Sequence, residues 1–330
     1  MRRFSYSRAP SLAEAVRTVA EGEGAVHFLG GGTTLFDLMK LGIERPAALV
    51  DVTHLPGLDD ILVTERGLRF GALVRMSDAA AHDAIARDYP MISESLWRAA
   101  SQQLRNMATL GGNLMQRTRC AYFRGGEPFA CNKRVPGSGC SAIGGIDRGL
   151  ALLGGSPHCI ANYPGDFAVA LVALDAELDI VGPSGARGIA VEQLHREPGS
   201  TPHVETTLAP GEFISAIRVP ASRAARASTY LKIRDRESYA FALTSAAVGL
   251  DMDGDIVREA RIAIGGIATR PWRTRAAERM LAGRKLTPAL AREAGEAAVV
   301  DARPGRLNGF RIELAARTVA DALMIARERA

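Results

Sequence analysis

Between residues 4 and 52 the chain alternates short apolar runs with helical-period segments, and at one junction it places Gly30-Gly31-Gly32 directly before Thr33-Thr34. Phe4-Ser5-Tyr6 alternates as a short strand. Ser11 and Glu14 form a capping-box pattern, and Leu12, Ala15, Val16 and Val19 then fall on one helical face. Gly22 and Gly24 end that helix. Residues 25–29 read as a buried strand, 35–41 as a helix stopped by Gly42, and 47–52 as another strand. Strand–helix–strand–helix–strand is a small α/β lobe, with the glycine run at a strand-to-helix turn.

Such a turn can hold an anion. A helix N-terminus offers unpaired N–H groups, and glycine lets a phosphate approach the backbone. Thr33 and Thr34 add hydroxyl donors. No lysine follows where a Walker A loop needs one, and Leu35 stands where the last glycine of G-x-G-x-x-G belongs. The alternative is a tight turn with no ligand. A second cluster, Ala108-Thr109-Leu110-Gly111-Gly112-Asn113, has the same chemistry. Two such turns could grip the two halves of a pyrophosphate, which points to a dinucleotide such as FAD held outside a Rossmann fold.

Beyond the first lobe, a region from residue 58 alternates a strand at 68–73 with helices at 77–87 and 91–100. Residues 104–114 continue it, followed by a buried helix at 167–174 and a strand at 177–181. Residues 198–210 are polar and turn-like. A third region starts near Ser222, with a strand at 228–233, a long run at 239–252, a hairpin turn at Asp253-Gly254 and a returning strand at 256–264. Helices then fill the chain to Ala330, an α+β pattern. The expected domains are 1–57, 58–221 and 222–330.

All four cysteines, Cys120, Cys131, Cys140 and Cys159, lie within forty of the 330 residues, separated by ten, eight and eighteen residues. Structural zinc sites usually bring their thiolates in C-x2–4-C pairs, and there is none here. A larger iron–sulfur cubane fits wide spacing better, since separate loop segments reach its corners. Zinc, or free or disulfide-bonded thiols, remain open on the residues alone. Charge favours the cluster. Residues 117–148 hold six basic side chains (Arg117, Arg119, Arg124, Lys133, Arg134 and Arg148) against Glu127 and Asp147. An anionic cluster needs such neighbours, and the segment's many glycines let backbone N–H groups reach sulfur.

The basic stretch does not point to nucleic acid, because aromatics are 5% of the chain and no nucleic-acid motif is present. The longest apolar run, Phe167 to Leu174, is far short of a membrane span. Arg2 and Arg3 are followed by polar residues, so no export signal is expected in this chain.

The motifs resemble those of a known family. Phe28-Leu29-Gly30-Gly31-Gly32-Thr33-Thr34-Leu35 and Arg105 to Asn113 resemble the two FAD-binding signatures of the molybdenum hydroxylase flavoprotein subunits. This family includes the FAD domain of xanthine dehydrogenase and the medium subunit of carbon monoxide dehydrogenase. The similarity spans essentially the whole chain. Ser11 to Ala15 is similar to the family's start, Asp166 to Ala176 to a later segment, and Tyr230 to Arg234 with Ala240 to Ala247 to the start of its C-terminal domain. Most members lack the cysteine insertion, here about residues 115–165. Its wording is similar to that of the FAD subunit of bacterial periplasmic aldehyde oxidoreductase.

The resemblance implies an α+β chain: a vanillyl-alcohol-oxidase-like FAD-binding fold of two α/β subdomains plus a C-terminal α+β domain. It implies FAD held by Leu29, Gly30, Gly31, Gly32, Thr33, Thr34, Leu35, Thr109, Gly111, Gly112 and Asn113, with Asp166 and Lys232 as flavin-ring neighbours. For Asp166 the alternative is a helix N-cap, for Lys232 a solvated strand lysine. Tyr239 covers the flavin or fills the core. The resemblance also implies a [4Fe-4S] cluster on Cys120, Cys131, Cys140 and Cys159, without His158. The implied assembly is a heterotrimer with a large molybdenum-cofactor subunit that oxidises substrate and a small subunit with two [2Fe-2S] clusters. This chain would pass electrons through FAD to an external acceptor. In the periplasmic type the small subunit carries the export signal, so co-export to the periplasm is expected, with the cytoplasm as the alternative. A 4-hydroxybenzoyl-CoA reductase-like subunit, with electrons running towards molybdenum, and a non-catalytic metal-binding sensor or scaffold are the competing readings.

Overall fold

The computed structural model describes every residue from Met1 to Ala330. Three sheets organise it. The first is parallel, with β1 (Ser5–Arg8), β2 (Val26–Leu29) and β3 (Ala48–Asp51) in the order β1-β3-β2. The helix Leu12–Glu21 links its first two strands, and the Ser11 hydroxyl accepts from the Glu14 N–H at 3.2 Å, as the capping pattern predicts. The helix Leu35–Lys40 follows the glycine run.

The second sheet has five strands: β4 (Ile61–Thr64), β5 (Gly67–Gly71), β6 (Glu177–Gly182), β7 (Gly185–Ala190) and β8 (Phe213–Pro220). Their order is β4-β5-β8-β6-β7, all neighbours antiparallel. The central strand β8 had no counterpart in the sequence reading. Phe213–Ile217 is buried throughout, so it lacks the alternation that marks a half-buried strand. The predicted helix at 77–87 is two helices, Met76–Ala81 and Asp83–Asp88, because His82 takes an extended backbone (φ −71°, ψ 118°).

The third sheet is antiparallel, with β9 (Ser228–Ile233), β10 (Thr244–Asp253), β11 (Ile256–Gly265) and the short β12 (Trp272–Arg273) in the order β12-β11-β10-β9. The β10–β11 hairpin turns at Gly254, whose φ of +56° suits glycine. Helices Arg275–Leu281, Pro288–Ala298 and Phe310–Glu328 form its other layer.

The helix Phe167–Ala173 is apolar all round and buried at every position. It packs against Pro90–Trp97 on one side and β10 and β11 on the other, so it welds the second and third layers. Two polar groups, the half-buried Glu94 and the buried Arg311, strengthen this seam. Glu94 accepts from the Thr229 hydroxyl and the Tyr230 N–H, both at 2.8 Å. The fully buried Arg311 gives its guanidinium to the carbonyls of Leu243, Leu150, Arg148 and Gly266, which joins the end of the cysteine segment to the C-terminal layer.

Candidate cofactor sites

The two glycine turns, some seventy-five residues apart in sequence, touch. A Cβ on Gly31 would stand 1.8 Å from the Met107 carbonyl oxygen, and one on Gly30 would stand 3.0 Å from the Thr109 hydroxyl. A Cβ on Gly112 would meet the same hydroxyl at 2.9 Å, and one on Gly111 would meet the Ala72 Cβ at 2.9 Å. Only glycine lets these backbones approach so closely. Gly32, at φ +71°, makes the bend that sends the chain into Leu35–Lys40. Thr109 caps Leu110–Leu114 by accepting from the Gly112 N–H at 3.3 Å. Thr34 makes no such cap bond, which leaves its hydroxyl free for a ligand.

Both turns line one cavity of about 770 Å³. Leu29, Gly30, Gly31, Gly32, Thr33, Thr34, Leu35, Thr109, Gly111 and Gly112 all form part of its wall, and residues 203–206 and 208–214 form the opposite side. Phe28 and Phe213 meet edge to face in that wall at 5.2 Å. A cavity of this volume with a glycine-lined cradle in its wall fits a dinucleotide whose pyrophosphate lies on the two turns.

Asn113, Asp166 and Lys232 lie outside that wall. The Asn113 amide reaches the Met76 sulfur at 3.4 Å, and its carbonyl oxygen is buried without a partner. Lys232 is neither solvated nor isolated: its ammonium pairs with Asp166 at 2.8 Å and donates to the Arg98 carbonyl at 3.0 Å. The other Asp166 oxygen accepts from the Tyr230 hydroxyl at 2.7 Å, and the carboxylate makes no N-cap bond. Burial first, then the Asp166 charge, lift the Tyr230 hydroxyl well above its ordinary pKa. Tyr239 does not fill the core; it is exposed, at φ +52°, with its carbonyl held by Arg236.

The four cysteines converge. Cys120, Cys131 and Cys159 are buried in one small core with Leu38, Phe123 and Leu150, and Cys140 packs on its edge. Cys131 and Cys140 face each other across an isolated antiparallel bridge. None is disulfide-bonded. Burial raises the Cys120 thiol against the pull of the Phe123 and Tyr122 N–H groups, and burial pushes Cys159 up to about 11 against the nearby Lys133 charge. The Ala161 N–H donates to the Cys159 sulfur at 3.4 Å. N–H donors on cysteine sulfur are the backbone support that iron–sulfur sites use. The four thiols share a core, but no group of three or more His, Cys, Asp or Glu side chains is arranged to hold a metal ion, so the structure by itself singles out neither a zinc nor a cluster. His158 is exposed on the surface beside this core.

The basic residues do not serve the role their charge suggested. Arg119 and Arg124 both pair with Asp37, at 3.0 and 2.8 Å. Arg117 bridges Glu44 and Glu205, each at 2.5 Å, and Lys133 reaches Glu205 at 3.4 Å. Arg134 holds loop carbonyls at Tyr122, Phe123 and Gly126, and Arg148 pairs with Asp235. These positive charges are spent on acids and carbonyls, and Glu44 and Glu205 belong to the wall of the large cavity. The sequence reading missed Asp37, Glu44 and Glu205, because nothing local marks an acid whose partner lies 73 to 88 residues away.

A chain with two touching glycine turns on one dinucleotide-sized cavity, followed by an antiparallel α+β domain, defines a non-Rossmann flavoprotein. Residues 2–222 match the FAD binding domain in molybdopterin dehydrogenase, and residues 229–326 match the CO dehydrogenase flavoprotein C-terminal domain. The chain therefore belongs to the FAD-binding medium subunits of the molybdenum hydroxylase family. It is 46% identical over 338 residues to the aldehyde oxidoreductase FAD-binding subunit PaoB of Escherichia coli (strain K12), covering 100% of both chains. It is 27% identical to the carbon monoxide dehydrogenase medium chain of Afipia carboxidovorans, over 87% of this chain and 83% of that one. In fold it is similar to a chain of reconstituted CO dehydrogenase from Oligotropha carboxidovorans, with a TM-score of 0.78, 24% identity, and 100% and 99% of the two chains covered. It is the FAD subunit of an aldehyde oxidoreductase/CO dehydrogenase-type oxidoreductase complex. No helix is long and apolar enough to cross a membrane.

Proposed function

We propose that the chain is the FAD and [4Fe-4S] electron-transfer subunit of a heterotrimeric molybdenum-containing aldehyde oxidoreductase. In this reading it takes electrons from a large molybdenum-cofactor subunit through a small subunit with two [2Fe-2S] clusters, and delivers them to an external acceptor. Bound FAD supplies the exchange between one-electron iron–sulfur carriers and a two-electron acceptor. Gly30 to Thr34 hold its pyrophosphate from one side, and Thr109, Gly111 and Gly112 from the other. Substrate oxidation belongs to the partner.

The observation that carries the cluster reading is the convergence of four free cysteines from three loop stretches into one buried core with N–H donors on sulfur. Cys120, Cys131, Cys140 and Cys159 are its ligands. Replacing Cys131 with serine, Cys131→Ser, should strip the purified chain of its iron and acid-labile sulfide. A variant that keeps full iron rejects the ligand assignment. Export alongside a signal-bearing small subunit follows from the same reading; finding the complex in the cytoplasmic fraction of intact cells would exclude it.

A further inference from the structure

The helix that follows the first glycine turn belongs to both sites. Leu35 and Leu38 line the flavin cavity. Leu38 is also a member of the cysteine core, 2% exposed, and Ile43, just past the helix, packs on that core. Between those positions Asp37 points its carboxylate at the guanidinium groups of Arg119 and Arg124, which flank Cys120 at positions −1 and +4. A second bridge lies on the far wall. Glu205 accepts from Arg117 and pairs with Lys133, which stands two residues from Cys131. Asp37, on the helix that lines the flavin cavity, thus holds two cations beside Cys120, and Glu205, in the cavity wall, holds Lys133 near Cys131 and the wall residue Arg117. Arg119 also rests its guanidinium over Phe241 at 5.0 Å, and its Nε is buried with no acceptor. A grip of this kind has one low-energy arrangement, so disorder on either side loosens the other.

We propose that Asp37 is a positioning residue that couples the two cofactor sites, so that a loaded cysteine core strengthens FAD binding and bound FAD strengthens retention of the cluster. The inference rests on the [4Fe-4S] reading above. Thermodynamic coupling of two sites is reciprocal, so one direction can be measured and the other must follow. Glu205 supplies the second contact, and Leu38 transmits packing between the sites. In this role the cysteine insertion requires no place in the electron path.

The test measures FAD affinity of the full chain by quenching of flavin fluorescence, with and without anaerobic reconstitution by iron and sulfide. The wild-type chain should bind FAD about tenfold more tightly when reconstituted, within the usual span of coupling between sites. The triple variant Asp37→Asn, Arg119→Gln, Arg124→Gln removes the bridge without leaving a buried charge alone. It should still take up iron, and its FAD affinity should no longer depend on it. Asp37→Glu in the otherwise wild-type chain, which keeps a carboxylate opposite Arg119 and Arg124, should retain part of the dependence, an outcome that loss of folding would not give. Equal FAD affinity in the loaded and metal-free wild type overturns the coupling and leaves the cluster reading intact. A wild-type chain that takes up no iron overturns both. A triple variant with full iron dependence overturns the role of Asp37.

Discussion

The flavin cradle and the cysteine core are built from opposite materials. The cradle is made of backbone: Gly30, Gly31, Gly111 and Gly112 matter because they lack side chains that would meet Thr109, Met107 and Ala72. The cysteine core is made of side chains, four thiols and a shell of cations, held in place by acids from other parts of the chain. Glycines in the two regions therefore do different work. A Cβ on Gly31 would collide with backbone, whereas Gly137, at φ +83°, has nothing within 4 Å of an added Cβ and serves only the turn. A glycine run is informative where two backbones must touch, and weak evidence where a loop merely bends.

Gly31→Val breaks the comparison most severely. The Met107 carbonyl cannot yield without parting the two turns, so the purified variant should carry no FAD, read as flavin absorbance per chain. Full flavin content would show that the turns are not the cradle. The seam between the second and third layers comes next. Lys232→Met leaves Asp166 buried without its cation and should cost about 3–5 kcal/mol in urea unfolding. Adding Asp166→Asn should recover much of that loss, since the uncompensated charge is gone. A double variant as unstable as the sum of the singles would show that the pair is not acting as a unit.

An acid-sensitive group lies in a smaller cavity of about 280 Å³ that shares Glu44, Arg117 and Glu205 with the flavin wall. His195 donates from Nε2 to the Leu114 carbonyl at 2.9 Å and lies 4.2 Å from the Tyr163 ring. Burial lowers its pKa from 6.5 to about 4. The unfolded chain therefore binds a proton there before the folded chain does. Stability is full above about pH 6.5 and falls as pH drops towards 4, by about 3 kcal/mol from this group. His195→Gln should flatten the pH dependence of the urea midpoint between those limits; an unchanged slope would place the acid sensitivity elsewhere. The smallest effect belongs to Gly137→Ala, which should cost only about 1 kcal/mol from left-handed backbone strain and leave flavin and iron contents unchanged.

Much of the fold was legible. The Ser11 cap, the strands on either side of the glycine run, the buried 167–173 helix and the β10–β11 hairpin each carry a local signal of period, cap or turn. The central strand β8 was not, because a strand buried on both faces resembles any short apolar run. The site divides the same way. The glycine turns announce themselves by composition, and so do four clustered cysteines. Their closeness in space, the Asp166–Lys232 pair and the acids at 37, 44 and 205 depend on contacts between distant segments. The excess charge of residues 117–148 points, on the sequence, to an anionic cluster, but Arg117, Arg119, Arg124 and Lys133 pair with carboxylates that net charge over a short window leaves out.

The most direct test of the account is an anaerobic visible spectrum of the purified chain, with FAD, iron and acid-labile sulfide quantified on the same sample. The account predicts flavin bands over a broad iron–sulfur shoulder, one FAD, and about four irons and four sulfides per chain. A yellow protein with flavin bands alone, and no iron after reconstitution, would contradict the cluster; a colourless protein that takes up neither cofactor would contradict the reading of both sites.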